Sequence, residues 1–257
     1  MEHNLRLKVQ SICHIAQDIV EVEWISADAN KALPAFTAGA HVEFKLRDDL
    51  LRSYSLANDP EESHRYVIAV HLSAESKCGS QYIHNALKEG DICDATAPRN
   101  HFPLDETNAQ HILIAGGIGI TPILAMAYRL STLGKAWQLH YCSRTQAHAA
   151  YLDEIKHLAA KTGNVVNFYF DQEANGQSLS LTELCQAAED VAHFYCCGPK
   201  GMLSAFEAAT AHRSDTVHLE YFTAKEEAAL DGGFEIELAK SNLILKVPAG
   251  KSILDVV

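Results

Sequence analysis

From Asp105 onward, apolar segments alternate with helix-like segments, and this alternation constrains the fold more than any other feature. The strand candidates are residues 111–115, 137–142, 164–170 and 193–197. Helical patterns follow them at about residues 122–133, 149–161, 181–188 and 200–212. Such alternation predicts a parallel sheet with helices on both faces. Ligands of such sheets bind at the carboxyl ends of the strands.

The part of the chain before Asp105 is mostly β. Short segments of alternating apolar and polar residues or of strand-forming composition cover residues 5–12, 19–25, 41–46, 52–56 and 66–72. Turn residues such as Pro34 and Gly39 separate them, and close spacing of short strands predicts a small antiparallel barrel. One helix interrupts these strands, with Ser80 as its predicted N-cap and Gly90 at its end.

The turn from Gly116 to Pro122 (GGIGITP) joins a predicted strand to a predicted helix. Its glycines allow close backbone approach, and the free N–H groups of a helix start favour an anion such as pyrophosphate. A tight structural turn is an equally common explanation of such a sequence, and the spacing is not GxGxxG. Cys197-Gly198-Pro199 ends the fourth strand and is expected to face this turn. Ser143-Arg144-Thr145 ends the second strand, where either a ribose or phosphate site or a solvated loop is expected.

The segment from Arg52 to Leu56 (RSYSL) places a cation, an aromatic ring and hydroxyl groups on one strand. An Arg fork suits a phosphate, and a Tyr ring offers a flat stacking surface. The alternative is an ordinary barrel strand with Tyr54 in its core. Gly79-Ser80 opens the barrel's helix and provides a second helix start suited to an anion.

Charge and cysteine content exclude several classes of function. The chain has 257 residues, 47% of them hydrophobic, and a formal net charge of -12, which argues against nucleic acid and anionic membranes as partners. The 7 cysteines are irregularly spaced, and neither they nor the 14 histidines suggest a metal site. No secretory signal is evident at the N-terminus, so a cytoplasmic protein with reduced thiols is expected.

Taken in order along the chain, these motifs resemble one group within the ferredoxin–NADP reductase superfamily, the phthalate dioxygenase reductase and vanillate demethylase reductase group. The motifs are RSYSL at 52–56, Gly79-Ser80, Pro98-Arg99-Asn100, the Gly116–Pro122 turn, YCSRT at 141–145, YCCGP at 195–199 and Glu220-Tyr221-Phe222. The resemblance implies a β + α/β protein, in which an antiparallel six-stranded flavin-binding barrel precedes a parallel-sheet dinucleotide-binding domain.

The resemblance also implies domain boundaries. Residues 1–107 would form the flavin-binding barrel and residues 108–226 the NAD-binding domain. Residues 227–257 would be a linker and the opening hairpin, strands 234–238 and 243–247, of a plant-type ferredoxin domain. The cysteines that hold that domain's 2Fe–2S cluster would follow Val257, so a cluster is expected only in a longer chain.

Each cofactor receives a set of residues through the resemblance. FMN would contact the barrel through Arg52, Ser53, Tyr54, Ser55, Ala69, Val70, His71, Gly79 and Ser80. NADH would contact Gly117, Ile118, Gly119, Thr121, Ser143, Arg144, Asp171, Cys197 and Gly198. Phe222 would cover the flavin. Ser55, Cys197 and Phe222 are expected to shape the hydride-transfer site, with no side chain acting as general acid or base and no metal held by this chain.

The implied function is that of an NADH-dependent reductase component for a Rieske-type oxygenase, of the kind used in aromatic compound catabolism. A stand-alone NAD(P)H-dependent flavin or ferric reductase acting on small acceptors is the enzyme alternative. A flavin-binding regulatory or structural subunit is a third interpretation, against which the presence of both cofactor motifs argues.

Overall fold

The fold is that of a computed structural model, which describes residues 4–28, 31–73, 78–107, 110–213, 215–222, 233–239, 243–251, 253 and 256. The contacts divide the chain into two compact units, Met1–Glu220 and Tyr221–Val257. The first unit contains two sheets with separate cores.

The first sheet is antiparallel and has seven strands. They are β1 (Leu5–Ala16), β2 (Ile19–Ser26), β3 (Ala40–Arg47), β4 (Leu50–Ser55), β5 (Tyr66–His71), β6 (Ile92–Ala95) and β7 (Arg99–Asn100). The order is β4-β3-β6-β1-β2-β5, with the two-residue β7 paired to β3. The Ala57 N–H donates to the Val67 carbonyl at 2.8 Å and links the two end strands just past β4. The expected six-stranded barrel is therefore confirmed, with β7 as an addition.

The barrel core follows from the period-2 pattern of its strands. In β3, residues 40, 42, 44 and 46 are buried and alternate with more exposed neighbours. Trp24 and Phe44 pack with ring centroids 4.8 Å apart, inside a cluster that also holds Leu7, Tyr66 and Ile68. This core supports β4, which carries the RSYSL segment.

The barrel's helix differs from its prediction. Helix α1 covers only Gly79–Asn85, and Cys78 precedes it in the left-handed conformation, with φ 68°. Ser80 is therefore not the N-cap, since it lies one residue inside the helix. A helix of two turns also presents a smaller dipole to an anion than the expected longer helix would.

The second sheet is parallel and has five strands. They are β8 (Gln110–Gly116), β9 (Ala136–Ser143), β10 (Val165–Phe170), β11 (His193–Cys197) and β12 (Val217–Glu220), in the order β10-β9-β8-β11-β12. The helices are α2 (Ile120–Thr132), α3 (Leu152–Thr162), α4 (Leu181–Ala187) and α5 (Lys200–Ala209). The predicted strands and helices are all present, and β12 is a fifth strand that the sequence pattern did not predict.

Opposite faces of the parallel sheet hold different helices, as expected. Leu113, Leu139 and Tyr195 are buried in the same core cluster as α2 and α3. Side chains of the other face, such as Phe194, pack toward α5, where the ring of Phe206 lies 6.2 Å away. The cluster that contains Leu113 and Leu139 also includes Ile19, Ala57 and Phe102, so the barrel and the parallel sheet share apolar contacts.

The second unit contains one antiparallel hairpin. Strands β13 (Phe234–Leu238) and β14 (Leu243–Val247) pair along their whole length, which confirms both predicted strands. Most of the predicted linker at 224–233 and the expected helix start at Ser252 lie outside the described residues. The domain boundaries at 107 and 226 stay predictions.

Candidate functional site

Two glycine turns meet at the carboxyl edge of the parallel sheet. Strands β8 and β11 are direct neighbours, so the turns that follow them pack together. A Cβ on Gly119 would overlap the carbonyl oxygen of Cys197, and a Cβ on Gly116 would lie 2.6 Å from Met202 Sδ. Only glycines permit this approach. The prediction that the two turns face each other is confirmed.

The first turn has the backbone that an anion site needs. Gly117 has φ +52° and begins a 3₁₀ turn, Gly117–Gly119, which leads directly into α2. Thr121 is buried, and its hydroxyl donates to the Ile118 carbonyl at 3.1 Å. Hydrogen bonds from Thr121 and from the Ile120 N–H thus hold the main chain of this turn.

A buried polar group from the barrel meets the parallel sheet beside these turns. Ser55 ends β4 and is 7% exposed, and its hydroxyl donates to the carboxylate of Glu220, the last residue of β12. Glu220 pairs in register with Cys197, the last residue of β11. The structure thus brings together two residues predicted to shape hydride transfer, Ser55 and Cys197, around a carboxylate.

Burial controls the protonation of this group. Desolvation raises the pKa of Glu220 to about 7, although the hydrogen bond from Ser55 opposes the shift. Burial and the nearby Glu220 carboxylate raise the pKa of the Cys197 thiol well above its usual value, so the thiol is protonated at neutral pH. Glu220 Oε2 is buried and has no hydrogen-bond partner among the described residues. Buried orphan oxygens are costly and often await a ligand.

Arg52 and Gly79, both predicted to hold a phosphate, are in direct contact. A Cβ on Gly79 would lie 2.7 Å from Arg52 Cγ and 2.8 Å from Arg52 Nε. Arg52 Nη1 donates to the Leu51 carbonyl at 2.7 Å. The Ser80 hydroxyl accepts from the Ser73 N–H at 3.3 Å.

The other barrel candidates form a surface of mixed character. Tyr54 is half-buried against the barrel core, its ring 6.1 Å from Phe44, and burial raises its pKa to about 12. Ser53 is exposed, whereas Ala69 and Val70 are buried on β5. His71 ends β5, and desolvation together with the charge of Arg144 lowers its pKa.

The three residues assigned to the adenosine end lie at the ends of β9 and β10. Ser143 is in register with Phe170, and the Gln172 N–H donates to the Arg144 carbonyl at 2.9 Å. Arg144 and Asp171 are both exposed. A neighbouring groove carries four carboxylates, on Glu21, Asp153, Glu154 and Glu173. One cation and several anions therefore border this part of the sheet edge.

Phe222 belongs to the second unit and is 47% exposed. Its role as a cover for the flavin stays a prediction.

Metal ligands are not clustered in the part of the chain that the structure describes. No three His, Cys, Asp or Glu side chains converge there on a point that could hold a metal ion. His193 Nδ1 and His218 Nε2 lie 3.1 Å apart at the opposite edge of the parallel sheet, a pairing that sequence spacing did not indicate. Among the described helices, none combines the length and apolar character needed to cross a membrane.

Comparison with known proteins supports the fold described above, an antiparallel barrel followed by a parallel sheet. Residues 113–208 match the family described as "Oxidoreductase NAD-binding domain". Phenoxybenzoate dioxygenase subunit beta of Ectopseudomonas oleovorans is 44% identical over 97% of this chain and 76% of its own length. Phthalate dioxygenase reductase of Burkholderia cepacia is 35% identical over 98% of this chain and 78% of its own length. This chain belongs to the phthalate dioxygenase reductase family.

A solved structure of the phthalate dioxygenase reductase family extends the match to three dimensions. It is described as phthalate dioxygenase reductase, a modular structure for electron transfer from pyridine nucleotides to [2Fe-2S]. It is 34% identical to this chain, has a TM-score of 0.80, and covers 98% of this chain and 78% of its own. The resemblance and the fold class inferred from the sequence are thereby confirmed.

For this phthalate dioxygenase reductase family member, sequence reasoning gave no role to one residue that the structure places beside Ser55 and Cys197. Glu220 stood in a recognised motif but received no role, because a lone Glu beside Tyr221 gives no sign that it will be buried. Its position is set by the unpredicted β12 and by the register with Cys197. An acidic residue at the carboxyl end of a strand, directly before an aromatic pair, was the available signal.

Proposed function

We propose that this protein is the reductase component of an oxygenase system, carrying electrons from NADH through FMN, and in the longer protein a 2Fe–2S cluster, to a Rieske-type oxygenase. The observation that carries the proposal is the Ser55–Glu220–Cys197 cluster, which lies where the barrel meets the glycine turns. The family supports the same reaction class, since its named members are reductases of oxygenase systems.

The residues fit a dinucleotide at the parallel sheet. The contact between Gly119 and Cys197 brings the carboxyl ends of β8 and β11 together, with Pro199 and Met202 packed against Gly116 beside them. Gly117, Ile118, Gly119 and Thr121 would hold the diphosphate through main-chain groups at the start of α2. Cys197 and Gly198 would lie beside the nicotinamide.

The residues also fit a flavin mononucleotide in the barrel. Arg52 is the cation for its phosphate, and its side chain packs against Gly79, the first residue of α1. Tyr54 offers a ring face, and Ser55 offers a hydroxyl. When bound, flavin supplies the chemistry that divides a two-electron hydride into single electrons.

The chain's own contribution is placement and proton control. The two domains hold donor and acceptor sites against each other, which removes the entropy cost of their encounter. Glu220, with a pKa of about 7, can hold or release a proton at its carboxylate near neutral pH, and Ser55 Oγ connects that carboxylate to the barrel side. The buried, protonated Cys197 thiol supplies bulk without charge.

The direct experiment is anaerobic addition of NADH to the purified yellow protein. Loss of the 450 nm region absorbance and subsequent reduction of ferricyanide are expected, with FMN as the flavin released on denaturation and identified by mass spectrometry. A protein that binds flavin but is not bleached by NADH would contradict the proposal and favour a non-catalytic subunit. FAD in near-stoichiometric yield would contradict the flavin assignment alone.

One relative favours a second candidate function. Tetrachlorobenzoquinone reductase of Sphingobium chlorophenolicum is 41% identical over 97% of this chain and 78% of its own length. Its name describes a small quinone acceptor. Comparing kcat/KM for tetrachlorobenzoquinone and for an oxygenase component as electron acceptors, at equal NADH concentration, should decide between the two functions. A much larger kcat/KM for the quinone would favour the small-acceptor reductase.

A further inference from the structure

We infer that Tyr141 is a positioning residue for the nucleotide, which fixes the orientation of the Gly117–Ile118 peptide for a diphosphate-bearing ligand. The inference rests on the proposed function, since it concerns the same nucleotide site. Tyr141 lies on β9, in register with Ala115 of β8, two residues before Gly117. Its side chain is fully buried.

The hydrogen bonds of Tyr141 settle which way its hydroxyl points. The Ala150 N–H lies 3.1 Å from Tyr141 Oη and can only donate to it. The Gly117 carbonyl lies 3.2 Å from the same oxygen and can only accept. The hydroxyl proton must therefore point at Gly117. Burial raises the pKa of this phenol well above its usual value, so the proton is retained throughout the working pH range.

Planarity of the peptide carries this orientation to the other side of the turn. In a trans peptide the C=O and the following N–H point in opposite directions. A Gly117 carbonyl that is held toward Tyr141 therefore directs the Ile118 N–H away from β9. Gly117 adopts φ +52°, and its carbonyl also accepts the Ile120 N–H inside the 3₁₀ turn, so the Tyr141 hydroxyl is a second, side-chain restraint on this peptide.

The same hydroxyl connects the glycine turn to the start of α3. Ala150 is the residue before Tyr151, which precedes α3 in a left-handed conformation with φ 62°. Non-glycine residues rarely adopt this conformation, so the segment needs tertiary support. Tyr141 thus restrains the turn at Gly117 and the segment at Ala150 with a single group.

The test is the substitution Tyr141→Phe, with Tyr169→Phe as its matched control. Tyr169 lies on the neighbouring strand β10. Its hydroxyl forms a partly buried hydrogen bond with His140 Nδ1 at 3.0 Å but does not touch the glycine turn. Both variants lose one hydroxyl. Tyr141→Phe also leaves the Ala150 N–H without its partner, so measurements are made well below the Tm of each variant.

We expect Tyr141→Phe to raise the KM for NADH about tenfold, the equivalent of ~1.4 kcal/mol, while kcat at saturating NADH and flavin content stay at wild-type values. Binding of ADP-ribose, which carries the diphosphate without nicotinamide, should weaken by the same factor. Binding of AMP, with one phosphate, should weaken much less. The Tyr169→Phe control should keep wild-type values in all of these measurements.

Two results would overturn the inference. One is a wild-type KM and wild-type ADP-ribose affinity in folded Tyr141→Phe. The other is equal weakening of ADP-ribose and AMP, which would indicate general damage to the domain. Failure of the proposed function has a different signature, because wild-type protein would then not oxidise NADH, whereas ADP-ribose titration still reports on Tyr141. The AMP measurement keeps Tyr141→Phe interpretable, because an AMP affinity near the wild-type value reports an intact site, and a loss of ADP-ribose affinity beside it is then specific to the diphosphate.

Discussion

At the scale of single residues, Glu220 is a carboxylate held in a desolvated environment. Its carboxylate is desolvated at the end of β12, receives a hydrogen bond from Ser55, and leaves Oε2 without a partner in the described structure. A carboxylic acid in such a place prefers its neutral form. Its protonation should therefore affect both turnover and stability in the same pH range.

Replacing Glu220 by Gln should flatten the pH dependence of stability. The folded-state pKa of about 7 lies above the ordinary value of 4.5, so the favourable contribution is complete below pH 4.5 and is lost as pH rises through 7. Wild-type protein should lose on the order of 1–3 kcal/mol of unfolding free energy from this group across that window. Urea unfolding at pH 5, 6, 7 and 8 measures the difference. The exposed Glu235→Gln serves as control, and an unchanged slope in Glu220→Gln would count against the buried carboxylate.

Arg52 carries the residue-scale prediction for flavin. A charge-assisted contact to a phosphate contributes about 1.5–3 kcal/mol, so Arg52→Ala should lower flavin occupancy after purification by at least tenfold at limiting FMN. Occupancy is measured from the ratio of flavin to protein absorbance. Arg47→Ala, a cation on β3 that pairs with Asp49, provides a matched loss of charge. Full yellow colour in Arg52→Ala would remove Arg52 from the phosphate site.

The sequence predicts the position of a single residue well when that residue lies at the end of a clearly recognisable strand. Cys197 could be placed because β11 is a continuous apolar run bounded by Gly198-Pro199. Glu220 could not, because its burial depends on the pairing of β12 with β11 and on the approach of Ser55 from the barrel. Contacts between distant segments set its pKa, and no local pattern records them.

At the scale of elements, the glycine turns allow the ends of β8 and β11 to approach each other closely. Gly119 touches the Cys197 main chain, and Gly116 touches Pro199 and Met202. The absence of side chains brings two strand ends close enough to form one cradle. The start of α2 then follows without any intervening side-chain cap.

Gly119→Ala should disrupt this cradle. The new Cβ would overlap the main-chain carbonyl of Cys197, which cannot move without shifting β11. We expect a loss of about 2–4 kcal/mol in stability and a clear rise in the KM for NADH. Gly201→Ala is the matched control because its Cβ would meet open space inside α5, and there we expect a gain of about 0.5–1 kcal/mol. Equal Tm values for the two variants would show that the turns do not pack as described.

Element prediction succeeded where periodicity was strong. Strand β11 agrees at both ends, and each predicted helix of the parallel sheet is present within a few residues. The strands β6 and β12 escaped prediction because each has only four residues and a mixed composition, ICDA and VHLE, in which pairing rather than propensity creates the strand. Helix α1 was predicted too long, since Cys78 in a left-handed conformation starts it without a side-chain cap.

At the scale of the whole molecule, the net charge of -12 biases the choice of pyridine nucleotide. NADPH carries an additional 2′-phosphate, and the exposed Asp171 lies at the sheet edge where the ribose is expected. The groove carrying Glu21, Asp153, Glu154 and Glu173 adds negative potential nearby. Arg144 is the opposing cation at that edge.

NADH should therefore have a higher kcat/KM than NADPH, and Asp171→Asn should reduce the difference. Removing one carboxylate from the ribose end relieves about 1 kcal/mol of repulsion, so kcat/KM for NADPH should rise roughly fivefold while that for NADH changes little. Because Asp171 is exposed, the preference should also shrink as ionic strength rises from about 0.01 M to about 0.5 M, over which the Debye length falls from about 30 Å to a few ångströms. Asp94→Asn makes the same charge change on the barrel strand β6 and separates the local effect from that of net charge. An equal gain in NADPH use by Asp94→Asn would assign the preference to the overall field, and an NADPH preference in the wild-type protein would refute the role of Asp171.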